Sequence, residues 1–357
     1  MTIRVALWTT GNIAKFAGRA VVDHQDLELV GAYSWSADKA GTDVGELIGI
    51  GATGVMSTAD IDELIASEPD VVGYYPIVNP DEVPTHVDNV CRLLEAGINV
   101  VSSANIITGR WWGAEDRLNE AGVRGNASVF GSGVNPGFVN QLLLTASGAC
   151  SVVTKLSLWE EAECSGYNSP ELWETVAFGH DPEEPGIEER FKRGISVFED
   201  TVAMMADALE LDLDEIVYVP EVAVATRDLD LGWMVIREGT VAGLKSRWLG
   251  RVDGSDVIEL GTIWKMTDDV EPNWTIRHGW HLQVDGSPTV KMHVAGWPAA
   301  GTEADSESLM SIAMLMTAMP TVHAIPHVVR ARPGVVTYKD LPLVSAAGAV
   351  RPSRRGT

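Results

Sequence analysis

The stretch VALWTTGNIAKFAG, residues 5–18, limits what this chain can fold into more than any other segment. Val5 to Trp8 read as a buried strand and Ile13 to Val22 as a helix, so the chain opens strand, short turn, helix. A turn of this kind docks a dinucleotide when it follows G-x-G-x-x-G. The first glycine permits the tight turn, the second lets the backbone approach the pyrophosphate, and the third lets helix and strand pack closely. Thr9, Gly11 and Ala14 stand at those three positions. Gly11 fills the role that admits the fewest substitutes, and Ala14 adds one methyl, which the fingerprint tolerates. Thr9 is the departure. Its hydroxyl and that of Thr10 are suited to donate to a phosphate oxygen, while the N–H groups of Gly11, Asn12 and Ile13 form the helix N-terminus that cradles a pyrophosphate. The alternative is an ordinary strand-to-helix turn, and context weighs against it.

That context is repeated alternation of β-rich runs with amphipathic segments, the pattern of βαβ units on a parallel sheet. Strands are expected at 4–8, 27–33, 71–75, 99–103 and 128–130, and helices at 13–22, 61–66, 84–96 and 114–121, with Thr58 as an N-cap and Gly97 and Gly122 as C-caps. Near residues 139–149 the pattern changes to one helix followed by many strands. Strands are expected at 152–161, 218–226, 232–238, 244–252, 257–265, 275–284 and 289–295, with Asp253-Gly254 and Asp285-Gly286 as hairpin turns of a largely antiparallel sheet. Phe191, Ile195, Phe198, Val202, Met205 and Leu209 recur at helical spacing and predict one long helix on that sheet. Leu309 to Ala318 reads as a buried helix, stopped by Pro320 and too short for a membrane span. The expected fold is therefore an α/β Rossmann-type dinucleotide-binding domain (1–140, with 309–357 packing back on it) and a second α+β domain for substrate and dimerisation (141–308).

The second strand of such a domain ends where the adenosine ribose lies, and an acidic side chain there favours NAD. Here the chain runs Tyr33-Ser34-Trp35-Ser36, with no acid before Asp38. Ser34, Ser36 and Lys39 suit a 2′-phosphate, so NADP(H) is favoured over NAD(H), a solvated loop being the other reading. Asn135-Pro136-Gly137 follows a strand and leads through Phe138 into a helix. That places it at the carboxyl edge of the sheet, where a nicotinamide sits, although Asn, Pro and Gly are also simply turn formers.

Charge and cysteines exclude several classes. The chain has 357 residues and a formal net charge of −24, which repels nucleic acid and anionic membranes. Three widely spaced cysteines argue for a reducing compartment and against a disulfide framework, and the strand at the N-terminus leaves no room for a secretion signal, so a cytoplasmic protein is expected. No metal spacing is evident. His323 and His327 are four apart, but Pro326 between them argues against a regular helix presenting both.

Three further segments, GTDVGEL (41–47), GSGVNPGF (131–138) and YNSPELW (167–173), follow the opening turn in this order. Together they resemble the dihydrodipicolinate reductase-like superfamily, in its branch of 2,4-diaminopentanoate dehydrogenases and native amine dehydrogenases. The resemblance runs from about residue 3 to GVVTYKDLPL (334–343). It implies a homodimer, a nicotinamide cofactor between two domains, and reversible conversion of a ketone, ammonia and NAD(P)H to an amine. The lysine-pathway reductase is disfavoured, because its paired histidines are absent. Asn105 departs from the glutamate that the resemblance implies at that position for proton handling. Asparagine can orient a substrate nitrogen or oxygen but accepts no proton, and losing a general base commonly costs ~10²- to 10⁴-fold in rate. Glu161 and Glu163, alternate residues of WEEAEC, are candidate replacements unless they are merely a solvated strand end. Trp159, Tyr167, Trp173 and Phe178 are candidates for lining an apolar substrate site, with ordinary core as the alternative. Two further readings stay open: a carbonyl or cyclic-imine reductase that needs no ammonia, and a catalytically silent NAD(P)-binding protein.

Overall fold

The structure, a computed structural model, describes residues 2–36, 38–298 and 306–350. Its first elements are β1 (Ile3–Trp8), α1 (Asn12–Asp23), β2 (Leu27–Tyr33), α2 (Val44–Ile48), β3 (Ser57–Thr58), α3 (Ile61–Ala66), β4 (Val71–Tyr74), α4 (Val83–Glu95), β5 (Asn99–Ser102), α5 (Glu115–Gly125) and β6 (Ser128–Gly131). Next come α6 (Val139–Ser147), β7 (Val152–Glu163), α7 (Pro170–Thr175), α8 (Ile187–Gly194), α9 (Val197–Leu209), β8 (Glu215–Ala225), β9 (Leu229–Asp230) and β10 (Val235–Ile236). The last are β11 (Val241–Val252), β12 (Ser255–Lys265), β13 (Val270–Glu271), β14 (Gly279–Ser287), β15 (Val290–Val294), α10 (Ser306–Val328) and β16 (Gly334–Val336). They form two compact units, one made of the chain up to Gly137 and from Met314 onward, the other of Phe138–Ala313. The breaks thus fall three residues before and five residues after the expected ones, and residues 351–357 of the segment expected to pack back lie outside the described residues.

The first unit is a parallel sheet in the order β16-β6-β5-β4-β1-β2-β3. β4 and β6 are buried along their whole length, as strands covered on both faces must be. On one face Val5, Leu7, Phe130 and Val336 pack with α1, α2 and the Ala318–Val328 half of α10; on the other Ala6, Trp8, Val72, Tyr74 and Val100 pack with α4 and α5. The chain proceeds from β1 to β2 and β3 on one side, then returns to β4 on the other. β1 and β4 therefore flank the topological switch point, and ligands of such sheets bind outside the carboxyl ends of these strands.

The second unit's main sheet has the order β13-β8-β11-β12-β7-β14-β15, antiparallel except for the β12–β7 pair. α6 and α9 pack on it. Asp253 and Gly254, with φ of 50° and 72°, make the tight hairpin that joins Val252 to Ser255.

Several local expectations are corrected. Asp285 and Gly286 are not a turn: they continue β14 through a bulge against β7, and the reversal comes after Ser287. The helix expected to run unbroken to Leu209 divides into α8 and α9 at Ile195–Ser196, where the Ser196 hydroxyl donates to Arg193 O. Only Val235–Ile236 of the expected strand 232–238 pairs, because the Asp230 and Asp228 carboxylates accept the Gly232 and Glu238 N–H groups on either side. Asp60, not Thr58, caps α3, its carboxylate accepting from Asp62 N at 2.8 Å. Gly122 lies inside α5 rather than after it. A Cβ there would stand 2.6 Å from Gly334 N, so glycine serves the close approach of β16.

α10 is the largest correction. It runs through Pro320 and Pro326, putting His323 and His327 on a helix after all. Each proline removes a helical N–H donor, and burial of Ala318, Val322, Ala324, Ile325 and Val328 offsets that loss. The stretch Ser308–Val328 is long and apolar enough to cross a bilayer by length and composition alone. Its C-terminal half nevertheless lies in the core of the first unit, which is the position of a core helix.

Candidate active site

The β1–α1 turn keeps the geometry of the glycine fingerprint without its first glycine. Thr9 has φ 83° and donates its N–H to Tyr33 O at 2.9 Å, so a threonine adopts the left-handed backbone that glycine would adopt freely. Such a residue costs of order 1–3 kcal/mol and persists where the surroundings hold it. Gly11 is the N-cap of α1, with no side chain capping the helix and no acidic residue in its first turn. The leading N–H groups of α1 therefore have no intrahelical acceptor and no competing carboxylate beside them. A Cβ at Gly11 would meet nothing nearer than Thr9 Oγ1 at 4.0 Å, so the space in front of the turn is open. The Thr9 and Thr10 hydroxyl oxygens are buried and find no hydrogen-bond partner among the described residues. Buried polar groups are normally paired, and two such hydroxyls beside an uncapped helix start fit the oxygens of a diphosphate.

The neighbouring loops are fixed from behind. The Ser102 hydroxyl donates to Tyr74 O at 3.0 Å and accepts from Ala104 N at 2.9 Å, and Ser132 N donates to Ser102 O at 2.8 Å. These bonds tie together the loops that leave β4, β5 and β6. Asn105, half-buried, sits in the second of them with φ 62°. In the third, Asn135 and Pro136 are half-buried and Gly137 closes against Ser132 at φ 139°, where a Cβ would come within 2.5 Å of Ser132 Oγ. Phe138 begins the second unit. The Ser132 hydroxyl pairs with Tyr338 Oη at 2.6 Å, and burial pushes the Tyr338 phenol up to about 12.

After β2 the three polar candidates separate. Ser34 is buried, its N–H donating to Thr58 O at 2.8 Å, which removes it from the outer surface of the loop. Ser36 donates to the Asp38 carboxylate, which holds that acid below its ordinary range, with the Lys39 charge adding to the effect. Trp35 between them is 77% exposed.

In the second unit β7 sends successive glutamates to opposite faces. Glu160 accepts from Trp264 Nε1 at 2.9 Å and Trp280 Nε1 at 2.8 Å. Glu161 accepts from Arg277 N at 2.6 Å and lies 3.6 Å from His281 Nε2. With Trp159, Glu221, Lys245, Arg247, Ile263 and His281 it lines a cavity of about 460 Å³. Gly261 makes room there: a Cβ would stand 2.5 Å from the Trp159 ring. Glu163 is tied to the next loop, accepting from Ser165 N at 2.7 Å. The four aromatic candidates do not form one site. Trp173 and Phe178 are core, 3% and 0% exposed and 5.0 Å apart, and Tyr167 packs edge-on against Trp173 at 5.7 Å. Trp159 lies with Glu161, on the face of β7 away from Glu160 and Trp264. Cys164 is no nucleophile, since burial and the Glu160 and Glu163 charges push its thiol up.

A second cavity of about 460 Å³ lies beside Ile3, Asp70 and Asn99, at the amino ends of β1, β4 and β5. That is the wrong edge of a parallel sheet for a dinucleotide.

Comparison with known proteins agrees with this architecture. The family model of the 2,4-diaminopentanoate dehydrogenase C-terminal domain matches residues 138–354. An amine dehydrogenase of Streptomyces virginiae is 28% identical over 97% of this chain and 98% of its own. A 2,4-diaminopentanoate dehydrogenase of Acetoanaerobium sticklandii is 27% identical over 72% of this chain and 70% of its own. The solved structure of an amine dehydrogenase from Mycobacterium smegmatis superposes with a TM-score of 0.78 at 18% identity, covering 97% of each chain.

Proposed function

Since the chain belongs to the 2,4-diaminopentanoate dehydrogenase family by its C-terminal domain, we propose that it is an NAD(P)-dependent oxidoreductase acting on CH–NH2 or C=N groups, interconverting a small ketone plus ammonia with the amine. The observation that carries the redox half is the pair of buried Thr9 and Thr10 hydroxyls, without a hydrogen-bond partner among the described residues, beside the uncapped start of α1. The relatives' names support the amine half. A bound nicotinamide supplies or takes up the hydride.

The chain's own residues bind and orient. Gly11, Asn12 and Ile13 N–H groups hold the diphosphate, with the two threonine hydroxyls donating beside them. Ser36 and Lys39 sit at the ribose 2′ position, and Asn135, Pro136, Gly137 and Phe138 pack the nicotinamide. Asn105 orients the substrate nitrogen or oxygen through its amide. Glu161 and Glu163 are the two proposed proton-handling carboxylates, each accepting one backbone N–H, from Arg277 and from Ser165; Glu161 also lines the cavity beside Trp159 and His281. Trp159 and Tyr167 keep enough exposed surface to contact substrate. We further infer a cytoplasmic homodimer.

Asn105 itself favours a second reading, in which a preformed imine or carbonyl is reduced without ammonia. Following NADPH and NADH oxidation with a panel of small ketones, in ammonium and in ammonium-free buffer, separates the two. Turnover that depends on ammonium supports amination, ammonium-independent turnover supports the second reading, and tight coenzyme binding without turnover indicates a silent binding protein.

A further inference from the structure

The cavity that Glu161 lines holds two cations of β11, and only one of them is neutralised. Lys245 and Arg247 are alternate residues of that strand and share a face. Register sets Lys245 in a row with Ile263 and Glu161, and Arg247 in the next row with Gly261 and Trp159. This is the face away from α9, whose Phe198 packs on Trp264 across β12. Lys245 meets the Glu221 carboxylate at 2.9 Å. Arg247, half-buried, makes no hydrogen bond or ion pair with any described residue, and its Nε is fully covered. A guanidinium keeps its charge at every working pH, and a covered charge without a partner is costly. Such groups are normally paired, so this one marks a place for an anion. Its surroundings select which. The planar fork fits a carboxylate through two parallel bonds. Gly261 lets the Trp159 ring lie across the strand that separates it from Arg247, and Ile263 adds a second apolar wall. Glu161 and Glu221 add negative charge to the lining, which disfavours a dianion relative to a monoanion.

We propose that this cavity is a binding site for a small carboxylate with an apolar body, anchored by Arg247 and lying against Trp159. The carboxylate belongs either to the reacting compound or to a separate molecule that occupies the cavity beside Glu161. The chemistry of recognition is the same for both, and the experiment separates them. Binding needs no coenzyme, so the inference stands apart from the redox reading above.

The test is calorimetric titration of the coenzyme-free chain with butanoate, its neutral isostere butanamide and inorganic phosphate, in wild type, Arg247→Met and Arg247→Lys. The comparison of acid with amide in the wild type needs no variant. Arg247→Met removes a partly covered charge that has no partner, so its melting temperature is expected to be unchanged or raised. Expected are tighter wild-type binding of butanoate than of butanamide or phosphate, a Kd for butanoate that rises about 10- to 100-fold in Arg247→Met, and part of the affinity kept in Arg247→Lys, which retains the charge without the fork. No butanoate binding by the wild type, equal binding of acid and amide, tighter binding of phosphate, or butanoate binding that survives Arg247→Met overturns the inference and leaves the redox reading intact. Turnover of 5-oxohexanoate and of 2-hexanone, the same carbon skeleton without the carboxylate, then identifies the source. A KM that rises in Arg247→Met chiefly for the oxo acid assigns the carboxylate to the substrate. Butanoate inhibition of 2-hexanone turnover that is lost in Arg247→Met, with no preference for the oxo acid, assigns it to a separate molecule. Turnover of neither ketone counts against the redox reading alone.

Discussion

The proposed coenzyme turn rests first on Thr9 and Thr10. Thr9 stands where the fingerprint has a glycine yet keeps φ 83°, and its hydroxyl and that of Thr10 find no partner among the described residues. Removing a hydroxyl that the apo protein does not use relieves a buried unsatisfied group, whereas removing one that binds a charged oxygen weakens the complex. Thr10→Val is therefore expected to leave the melting temperature unchanged or raised, and to raise the Kd for NAD(P)H by about 10- to 100-fold; thermal unfolding with and without coenzyme measures both. Asn105→Ala, which removes the proposed substrate contact but no coenzyme contact, should lower kcat at least about tenfold with coenzyme Kd unaltered, since positioning alone contributes that much to rate. An unaltered kcat removes Asn105 from the site.

Elements reveal which motifs are structural. Asp43 of GTDVGEL caps α2 through Gly45 N and also accepts from Thr53 N, Thr53 Oγ1 and Gly54 N. Those donors, Thr53 N foremost, hold its carboxyl down at about 2. The folded pKa is depressed below the unfolded value of about 3.9, so its contribution is full above that value and disappears as pH falls from about 4 toward 2. Asp43→Asn should lower the melting temperature at neutral pH and narrow its difference from wild type progressively below pH ~4; a difference that widens on acidification contradicts the assignment. Gly122→Ala should destabilise by about 1–3 kcal/mol, because the new methyl meets the Gly334 backbone rather than a yielding side chain; chemical denaturation measures it. Both positions were visible in the sequence, Gly122 with the wrong role. A glycine near a helix end looks like a cap, and only the third dimension shows a strand crossing it.

At the scale of the molecule, periodicity carried most of the fold. β2 and α3 end where their residue pattern ends, and five of the first unit's seven strands are found within about a residue of their expected bounds, whereas the short β3 and β16 were not expected. What was not legible depended on partners distant in sequence. Continuation of α10 past Pro320 needs the core residues that receive it, and the burial of Trp173 and Phe178 needs Trp264, far along the chain, beside them. The opening strand, turn and helix were legible despite the missing glycine, because the three are contiguous in sequence. The polar candidates after β2 were legible only as a group, since nothing in the residue pattern distinguished the buried Ser34 from the exposed Trp35.

Whether the β1–α1 turn holds a diphosphate is decided most directly by calorimetric titration of the purified protein with NADPH and NADH, in wild type and in Gly11→Val. Among the described residues nothing nearer than Thr9 Oγ1 at 4.0 Å meets a Cβ there, and Gly11 has φ −74°, which any residue adopts, so the variant keeps its fold. Saturable binding of one coenzyme per chain by the wild type, lost in Gly11→Val at unchanged melting temperature, is the predicted result. No heat of binding with either coenzyme, or binding that survives the valine, would contradict it.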